Sequence, residues 1–484
     1  MARVRGVCGA VIAGAVMVLP TVATAAGLMD VYRLAEAQDP QYAAALDELA
    51  ARRTLNDQAR GVLLPQVELV GEALQTWQDV ESEEIEIGGA GGFEVRPPLD
   101  RFVTLPPVQS LEQSGEVDVV NWNYGVQLRQ PLFNKEAFER FSQAKQQVAL
   151  AEVQFAIARQ DLILRTSQAY FNVLLAERQL ETVRAEKEAI EQQLAQARRR
   201  FEVGTASIND INEAQSRYDL TVAREIELNN QLAISRRQLQ AITGEPIDEL
   251  AELPQDVPLV GPEPAVVDAW TERGRDNSLL RIARDIGVDV ARQEIAARRG
   301  RLWPTLAATA GYTVAEQTSP SFGGDPVTVD TEIGTVGVQL SWPLFQGGLV
   351  RAQAAEAAAL YQQSRDQLVD AVRQAELQSS QAYLQLTSSI AQARALRQAL
   401  LSSETALRST EVGRDVGVRT NVDVLNSVQQ VYAAERDVET ARYNYLLNRL
   451  NLQAAVGGLE VSDVAAIDQM LMQAASVAPA AQRP

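Results

Sequence analysis

Apolar residues recur every seven positions through a long stretch of this chain: Phe141, Val148, Phe155, Leu162, Ala169, Ala176, Val183, Ile190 and Ala197. Leu150, Ile157, Leu164 and Phe171 accompany them part of the way. A stripe of that period predicts one very long helix supercoiled against other helices. A second stripe, Ala354, Tyr361, Leu368, Ala375, Ala382 and Leu396, follows the same rule with an interruption at Ser389. Each helix starts after a "PLF" motif, at Gln130 to Asn134 and at Trp342 to Gly348. Some 70 residues at a rise of about 1.5 Å each predict a rod on the order of 100 Å. Both helices then run into Val-Gly and restart within a few residues, in "FEVGTASIND" at Phe201 to Asp210 and "RDVGVRTNVD" at Arg414 to Asp423. Gly417 minus Gly204 and Asp423 minus Asp210 are both 213, so a large unit has been duplicated. The returning helices stop at Gly244 and Gly457, again 213 apart.

At the other ends of these helices the period changes to two. After "LLP" at Leu63 to Pro65 and "LWP" at Leu302 to Pro304, apolar and polar residues alternate as on a strand with two different faces. Val120, Trp122, Tyr124, Val126 and Leu128 fall on one side of Val117 to Gln130, opposite Asn121, Asn123, Gly125 and Gln127. Val336, Val338, Leu340 and Trp342 make a similar stripe, as do Leu306, Ala308, Ala310, Tyr312 and Val314. Val67 to Trp77 is more mixed, with Glu68 and Glu72 on one face. Strands of about ten residues with one apolar face match transmembrane β-barrel segments, and equally a half-buried strand of a soluble sandwich. Trp77, Trp122, Tyr124, Tyr312 and Trp342 fit an interfacial aromatic girdle, a role that core aromatics would imitate. Two turn-rich loops, Val80 to Glu116 and Glu316 to Glu332, join the strands within each pair. The first carries Glu81, Glu83, Glu84 and Glu86, which read as solvated surface because no calcium-loop spacing accompanies them.

Residues 1–25 combine Arg3 and Arg5, an apolar run from Val7 to Leu19, Pro20 and Ala23-Thr24-Ala25, the pattern of a secretory signal peptide cleaved after Ala25. The only cysteine, Cys8, lies inside it, so the mature chain is expected to carry no disulfide and no lipidated cysteine. No later segment has the apolar length of a spanning helix, and membrane insertion would therefore use strands. With 63 acidic against 44 basic residues among 484, the net charge of −19 disfavours nucleic acid as a partner. No His, mature Cys, phosphate-binding glycine loop or zinc spacing is present. No catalytic residue, metal or cofactor is therefore assigned.

The expected organisation is a signal peptide at 1–25 and a first repeat at 26–244, with a strand pair at about 65–130 and a helical hairpin at 134–244. A proline-rich linker at 245–264 leads to a second repeat at 265–457, with a strand pair at about 304–343 and a hairpin at 344–457. A partly disordered tail at 458–484 completes the chain. The expected fold class is mainly α with, on the membrane reading of the strands, a transmembrane β-barrel. Four strands cannot close a barrel alone, since the smallest has about eight, so an oligomer is required.

"LMDVYRLA" at Leu28 to Ala35, "AYFNVL" at Ala169 to Leu174, "RFEVG" at Arg200 to Gly204, "VGVRTNVDVL" at Val416 to Leu425 and "ARYNYLLNRLNLQAAVG" at Ala441 to Gly457 occur in that order. With the duplication, they make the chain resemble the TolC family of outer-membrane efflux and secretion channels from Leu28 to about Leu471. The resemblance implies a homotrimer with one shared twelve-stranded barrel, four strands per chain, continuous with an α-helical coiled-coil tunnel through the periplasm of a Gram-negative bacterium. Implied partners are a periplasmic adaptor, or membrane fusion, protein and an inner-membrane transporter, ABC or proton-driven, beside the outer-membrane lipid. The implied function is a passive exit duct for small molecules or unfolded proteins, in a tripartite efflux pump or a type I secretion system. The alternative is a soluble periplasmic coiled-coil scaffold or adaptor.

In the family the periplasmic end is held nearly shut by hairpins tied through polar links, with aspartate rings at the constriction. Asp423 matches the outer ring position, while Asn426 occupies the inner one. Arg419 matches the basic member of the links, and Asn209 and Asp210 match its partners. Arg414 stands where the family has a Tyr, which makes an Arg414–Asp210 salt bridge the expected substitute. Asp210 and Asp423 also lie where they would merely cap the returning helices. The tips themselves, Val203, Gly204 and Thr205 with Val416, Gly417 and Val418, are expected to turn the chain and contact the adaptor.

Overall fold

The computed structural model describes residues 25–81, 114–254, 257–319 and 325–477. The signal-peptide reading falls on residues 1–24 and most of the acidic loop on 82–113, both outside the described residues. In chain order the elements are α1 (Leu28–Gln38), α2 (Pro40–Gly61), β1 (Gln66–Glu81), β2 (Ser114–Phe133), α3 (Lys135–Glu202) and α4 (Ile208–Thr243). There follow α5 (Val267–Asn277), α6 (Leu279–Gly300), β3 (Thr305–Ser319), β4 (Val327–Ser341), α7 (Leu349–Asp415), α8 (Asn421–Ala455) and α9 (Val461–Val477). Pro40 opens α2 at a position where its missing N–H is not needed. The strands reach further than the alternation predicted, since β3 and β4 extend into the span expected as a loop at Glu316 to Glu332.

Two compact units make up the chain, and neither is one of the sequence repeats. The first comprises Arg53–Val148 and Gly287–Ser364; the second comprises the described parts of Met1–Arg52, Ala149–Ile286 and Arg365–Pro484.

The first unit holds a four-stranded antiparallel sheet in the order β1-β2-β3-β4, so that β2 of one repeat pairs with β3 of the other. The register explains the alternation seen in the sequence. Val67, Leu128, Ala310 and Val336 lie side by side, as do Leu69, Val126 and Tyr312, which gathers the apolar stripes on one face. Glu68 and Glu72, which made β1 look mixed, pair with Gln127 and Asn123 on the opposite, polar face. The apolar face is bare: Leu69 is 81% exposed and Val336 91%. From Thr305, paired with Ser341, to Glu316, paired with Trp122, β3 advances eleven residues (316 − 305). At about 3.3 Å per residue and a tilt of about 45° this spans roughly 25 Å, the height of the apolar band of a transmembrane barrel. Trp122 and Trp77 sit near the loop ends of their strands and Trp342 just past the helix end of β4, whereas Tyr124 and Tyr312 fall between these levels. The Tyr312 hydroxyl instead donates to Glu332 at 2.7 Å across β3 and β4. Strands β1 and β4 each have one edge unpaired within the chain.

The second unit is helical. Leu162, Ala169, Ala176, Val183, Ile190 and Ala197 of the α3 stripe are buried in it, and so are Ala375 and Ala382 of α7. Ser389, the interruption of the second stripe, is buried as well and satisfies its hydroxyl by donating to the Leu386 carbonyl at 2.8 Å. The core gathers Tyr32, Tyr170, Phe171, Tyr443 and Tyr445 around these helices. The proline-rich linker is not a loose tether, because Leu250, Ala251, Leu253 and Val257 are buried in that core. Tyr170 donates to the Ala251 carbonyl at 2.8 Å, and the Val260 N–H donates to the Tyr445 oxygen at 2.9 Å. The segment expected as a partly disordered tail carries α9, which buries Val464, Ile467 and Leu471 and whose Asp468 accepts the Met29 N–H at 3.2 Å. That spacing of three and four is a helical stripe hidden in a small-residue composition.

Candidate gate at the helical hairpin tips

The two tips are built alike because their sequences solve the same problem. A helix must release its last carbonyls, reverse, and satisfy the first N–H groups of the next helix. Gly204 and Gly417 take φ of 75° and 81°, a left-handed conformation that glycine adopts without strain. The Thr205 and Val418 N–H groups donate back to the Arg200 and Gly413 carbonyls, each at 2.8 Å. Ser207 and Thr420 then cap α4 and α8. Asp210 Oδ2 accepts the Ser207 N–H at 2.8 Å and its hydroxyl at 3.0 Å, while Asp423 Oδ2 accepts both Thr420 groups at 2.9 Å. Both aspartates therefore complete capping boxes. One carboxylate oxygen of each is committed to its own helix; the other accepts no hydrogen bond among the described residues. The Thr420 backbone N–H, then its hydroxyl, then the nearby Arg419 charge hold the Asp423 carboxyl below its ordinary range. Val203, Val416 and Val418 project from the tips as exposed apolar side chains.

The expected Arg414–Asp210 salt bridge is absent within the chain. Arg414 lies in the last turn of α7 and turns to α3, where it donates to Gln193 at 2.9 Å and Gln196 at 3.0 Å, and it also pairs with Asp415 at 3.0 Å. Its side chain is only 8% exposed, so it is a fixed part of the packing. Asp210 turns one carboxylate oxygen to Ser207 of its own helix, while the Arg414 guanidinium is taken up by Gln193, Gln196 and Asp415. Asn209 and Arg419 are exposed and make no side-chain hydrogen bond or ion pair among the described residues.

Other side chains tie the first hairpin, α3 and α4, to the second, α7 and α8. Arg200 of α3 meets Asp415 of α7 at 3.2 Å. Arg217 of α4 donates to Asn426 at 3.1 Å and to Gln429, both on α8, and is steadied by Glu213 at 2.9 Å. Asn426, read from the sequence only as a missing carboxylate, is thus the acceptor of a tie. Beneath it Ile190 and Leu194 of α3, Ala214 of α4 and Val424, Leu425 and Val428 of α8 form a small apolar cluster. Still further along, Glu186 of α3 has no exposed side-chain surface and accepts from Arg436 of α8 at 2.8 Å, with Arg224 of α4 at 3.5 Å. Burial raises the carboxyl of neighbouring Glu435, and Glu439 and Glu181 raise it further. Sequence reasoning missed Arg217, Arg200 and Glu186 because their partners on the second hairpin lie more than 200 residues away. The i,i+4 pair Glu213 and Arg217 was legible, but a helix-surface pair of that kind carries no information about the facing helix. Among the described residues no group of acidic or cysteine side chains is placed to hold a metal ion, and no helix is long and apolar enough to cross a membrane.

A sheet bare on its apolar face, joined to two very long helical hairpins, defines an outer-membrane channel class of protein. The chain belongs to the outer membrane efflux protein family, whose profile matches residues 31–245 and 277–458. It is 31% identical over 445 residues to the alkaline protease secretion protein AprF of Pseudomonas aeruginosa, covering 91% of this chain and 86% of that one. It is 30% identical over 454 residues to the outer membrane protein TolC of Vibrio cholerae, covering 94% and 95%. In fold it is similar to the solved outer membrane protein VceC of Vibrio cholerae, with a TM-score of 0.67 and 17% identity over 90% of this chain and 97% of that one. The open-state MtrE outer membrane channel of Neisseria gonorrhoeae gives a TM-score of 0.65 and 18% identity over 90% and 89%. This protein accordingly resides in the outer membrane of a Gram-negative cell and extends into the periplasm.

Proposed function

We propose that three copies of this chain form an outer-membrane exit duct that serves a tripartite efflux pump or a type I secretion system. Each copy contributes four strands to a twelve-stranded barrel and two hairpins to a helical tunnel. The observation that carries this reading is the sheet: two long edges, β1 and β4, have no partner in the chain, and its apolar face is bare. An edge of this kind must be paired or covered, and pairing β4 of one copy with β1 of the next closes a barrel without edges. A soluble scaffold has no use for bare Trp122, Val336 and Leu340. Conduction is passive, and energy comes from an inner-membrane transporter, ABC or proton-driven, through a periplasmic adaptor that meets the exposed tips at Val203, Gly204, Thr205, Val416, Gly417 and Val418. The cargo is a small molecule or an unfolded protein, in keeping with relatives named for protease secretion and for efflux.

The periplasmic mouth is held closed by ties between the hairpins. Arg217 with Asn426 and Gln429, Arg200 with Asp415, and Arg414 with Gln193 and Gln196 supply these ties within a chain. Arg419, Asn209 and the free oxygen of Asp210 remain for links between copies, and the free oxygen of Asp423 for a ring about the three-fold axis. Several polar ties, the exposed ones contributing about 0 to 1 kcal/mol each, hold a closed state that a docking partner is able to reverse. Purified protein added to a planar lipid bilayer is expected to give discrete conductance steps from a folded trimer. A folded trimer without conductance would overturn the duct.

A further inference from the structure

Where α6 ends and α7 begins, beside the helix-side ends of β3 and β4, a groove of about 530 Å³ opens between Arg299, Leu302, Trp303, Arg351, Ala354 and Ala358. Its floor and walls are apolar, and its charged residues are two arginines. The neighbouring arginines of this junction are spoken for: Arg140 and Arg301 both bond to Glu136, and Arg298 bonds to Glu294. Arg299 and Arg351, by contrast, are exposed, and their side chains make no hydrogen bond or ion pair among the described residues. Two unpaired arginines lining one apolar groove have the form of a site for an anion carrying a hydrocarbon chain.

The surroundings identify the occupant. The Trp342 indole N–H donates to the Leu302 carbonyl at 3.2 Å, which fixes an interfacial aromatic beside the groove. Leu344 and Phe345 next to it are 81% and 88% exposed, and the bare apolar band of β4 begins at Leu340. The groove therefore continues the lipid-facing surface at the level where strands give way to periplasmic helices, which is the headgroup level of the periplasmic leaflet. We infer that this groove binds an anionic phospholipid of that leaflet, with the phosphate held by Arg299 and Arg351 and an acyl chain laid over Leu302, Trp303 and the Ala354–Ala358 face of α7. An anionic lipid compensates both charges, whereas a zwitterionic one brings its own ammonium to the same place. The inference rests on the outer-membrane reading of the sheet but not on conduction.

Native mass spectrometry of the full chain in detergent, titrated with dioleoyl phosphatidylglycerol, dioleoyl phosphatidylethanolamine or inorganic phosphate, tests it. The parent protein is expected to retain phosphatidylglycerol in preference to phosphatidylethanolamine, with saturation. The R299Q/R351Q double variant is expected to lose that retention by about tenfold or more, as two charge-assisted bonds predict. Filling the groove with A354W is expected to do the same with both arginines intact. Inorganic phosphate should bind far more weakly, because it has no chain for the groove. Equal retention of the two lipids, or unchanged phosphatidylglycerol retention in both variants, would overturn the site. Loss of the oligomer in R299Q/R351Q, with lipid retention unchanged, would assign the groove to a second copy of the chain and equally overturn it. Conductance of the same preparation separates this outcome from failure of the duct.

Discussion

Replacing Arg217 by alanine removes the tie between α4 and α8 without touching a carboxylate of the proposed ring. The guanidinium donates to Asn426 at 3.1 Å and to Gln429, and its own helix supplies Glu213. Hydrogen bonds from a charged donor contribute about 1.5–3 kcal/mol when fully withdrawn from water. Arg217 is 24% exposed and Asn426 is exposed, so about 0.5–1 kcal/mol each is the appropriate figure, or roughly 1–2 kcal/mol for the pair. If the tie exists only in the closed mouth, that loss shifts the closed-to-open equilibrium by about 5- to 30-fold. Single-channel recording in a planar bilayer reads this directly, as a larger conductance or a longer-lived high-conductance level in R217A than in the parent. R217K is expected to fall between them, since a lysine keeps the charge but cannot present a planar fork to two amides. Helix content by circular dichroism controls for folding, because the apolar cluster of Ile190, Leu194, Val424, Leu425 and Val428 still packs the hairpins together. A folded R217A trimer with parental conductance and open-state lifetime would show that Arg217 is not part of the closure.

Three further outcomes are expected. E186A removes the fully buried carboxylate that Arg436 and Arg224 face, and because those two guanidiniums keep 21% and 45% of their side-chain surface exposed, the helical unit should be destabilised by about 1–2 kcal/mol, read as a lower denaturant midpoint; an unchanged midpoint would mean that the pair contributes nothing to stability. The raised Glu435 carboxyl means that the folded state binds this proton more tightly than the unfolded one, so its penalty is absent below the ordinary carboxylate range and grows as pH rises through the raised value. E435Q should therefore raise the melting temperature at neutral pH and lose that advantage in acid, and a gain independent of pH would refute the assignment. In bilayer recordings, D423N should lower the preference of the channel for cations, since three Asp423 carboxylates about the axis would attract them; an unchanged preference would remove the ring. Because the Asp423 carboxyl is held low, that preference should persist through mildly acidic pH and fade only below the ordinary aspartate range.

The long helices, the duplication and the tips were legible from sequence because they are set by local rules. A seven-residue stripe implies a supercoiled helix, a shared offset of 213 implies a repeat, and Val-Gly followed within a few residues by a new helical pattern with an Asp at its start implies a turn and restart, although the structure makes Ser207 and Thr420 the caps and puts Asp210 and Asp423 three residues on. The alternating strands were legible as two-faced but not as membrane or core, because periodicity reports that two environments exist and not which of them is lipid. Tertiary structure decided what depends on distant pairing. The register of β2 against β3 put every apolar stripe on one bare face; Arg414 turned to α3 and away from Asp210; Arg217 found Asn426 across 209 positions. It also enlisted the linker in the core, together with α9 from the segment expected as a partly disordered tail. A side chain's local spacing fixes which face of its own element it occupies, while the partner on the facing element is chosen by packing of the whole chain.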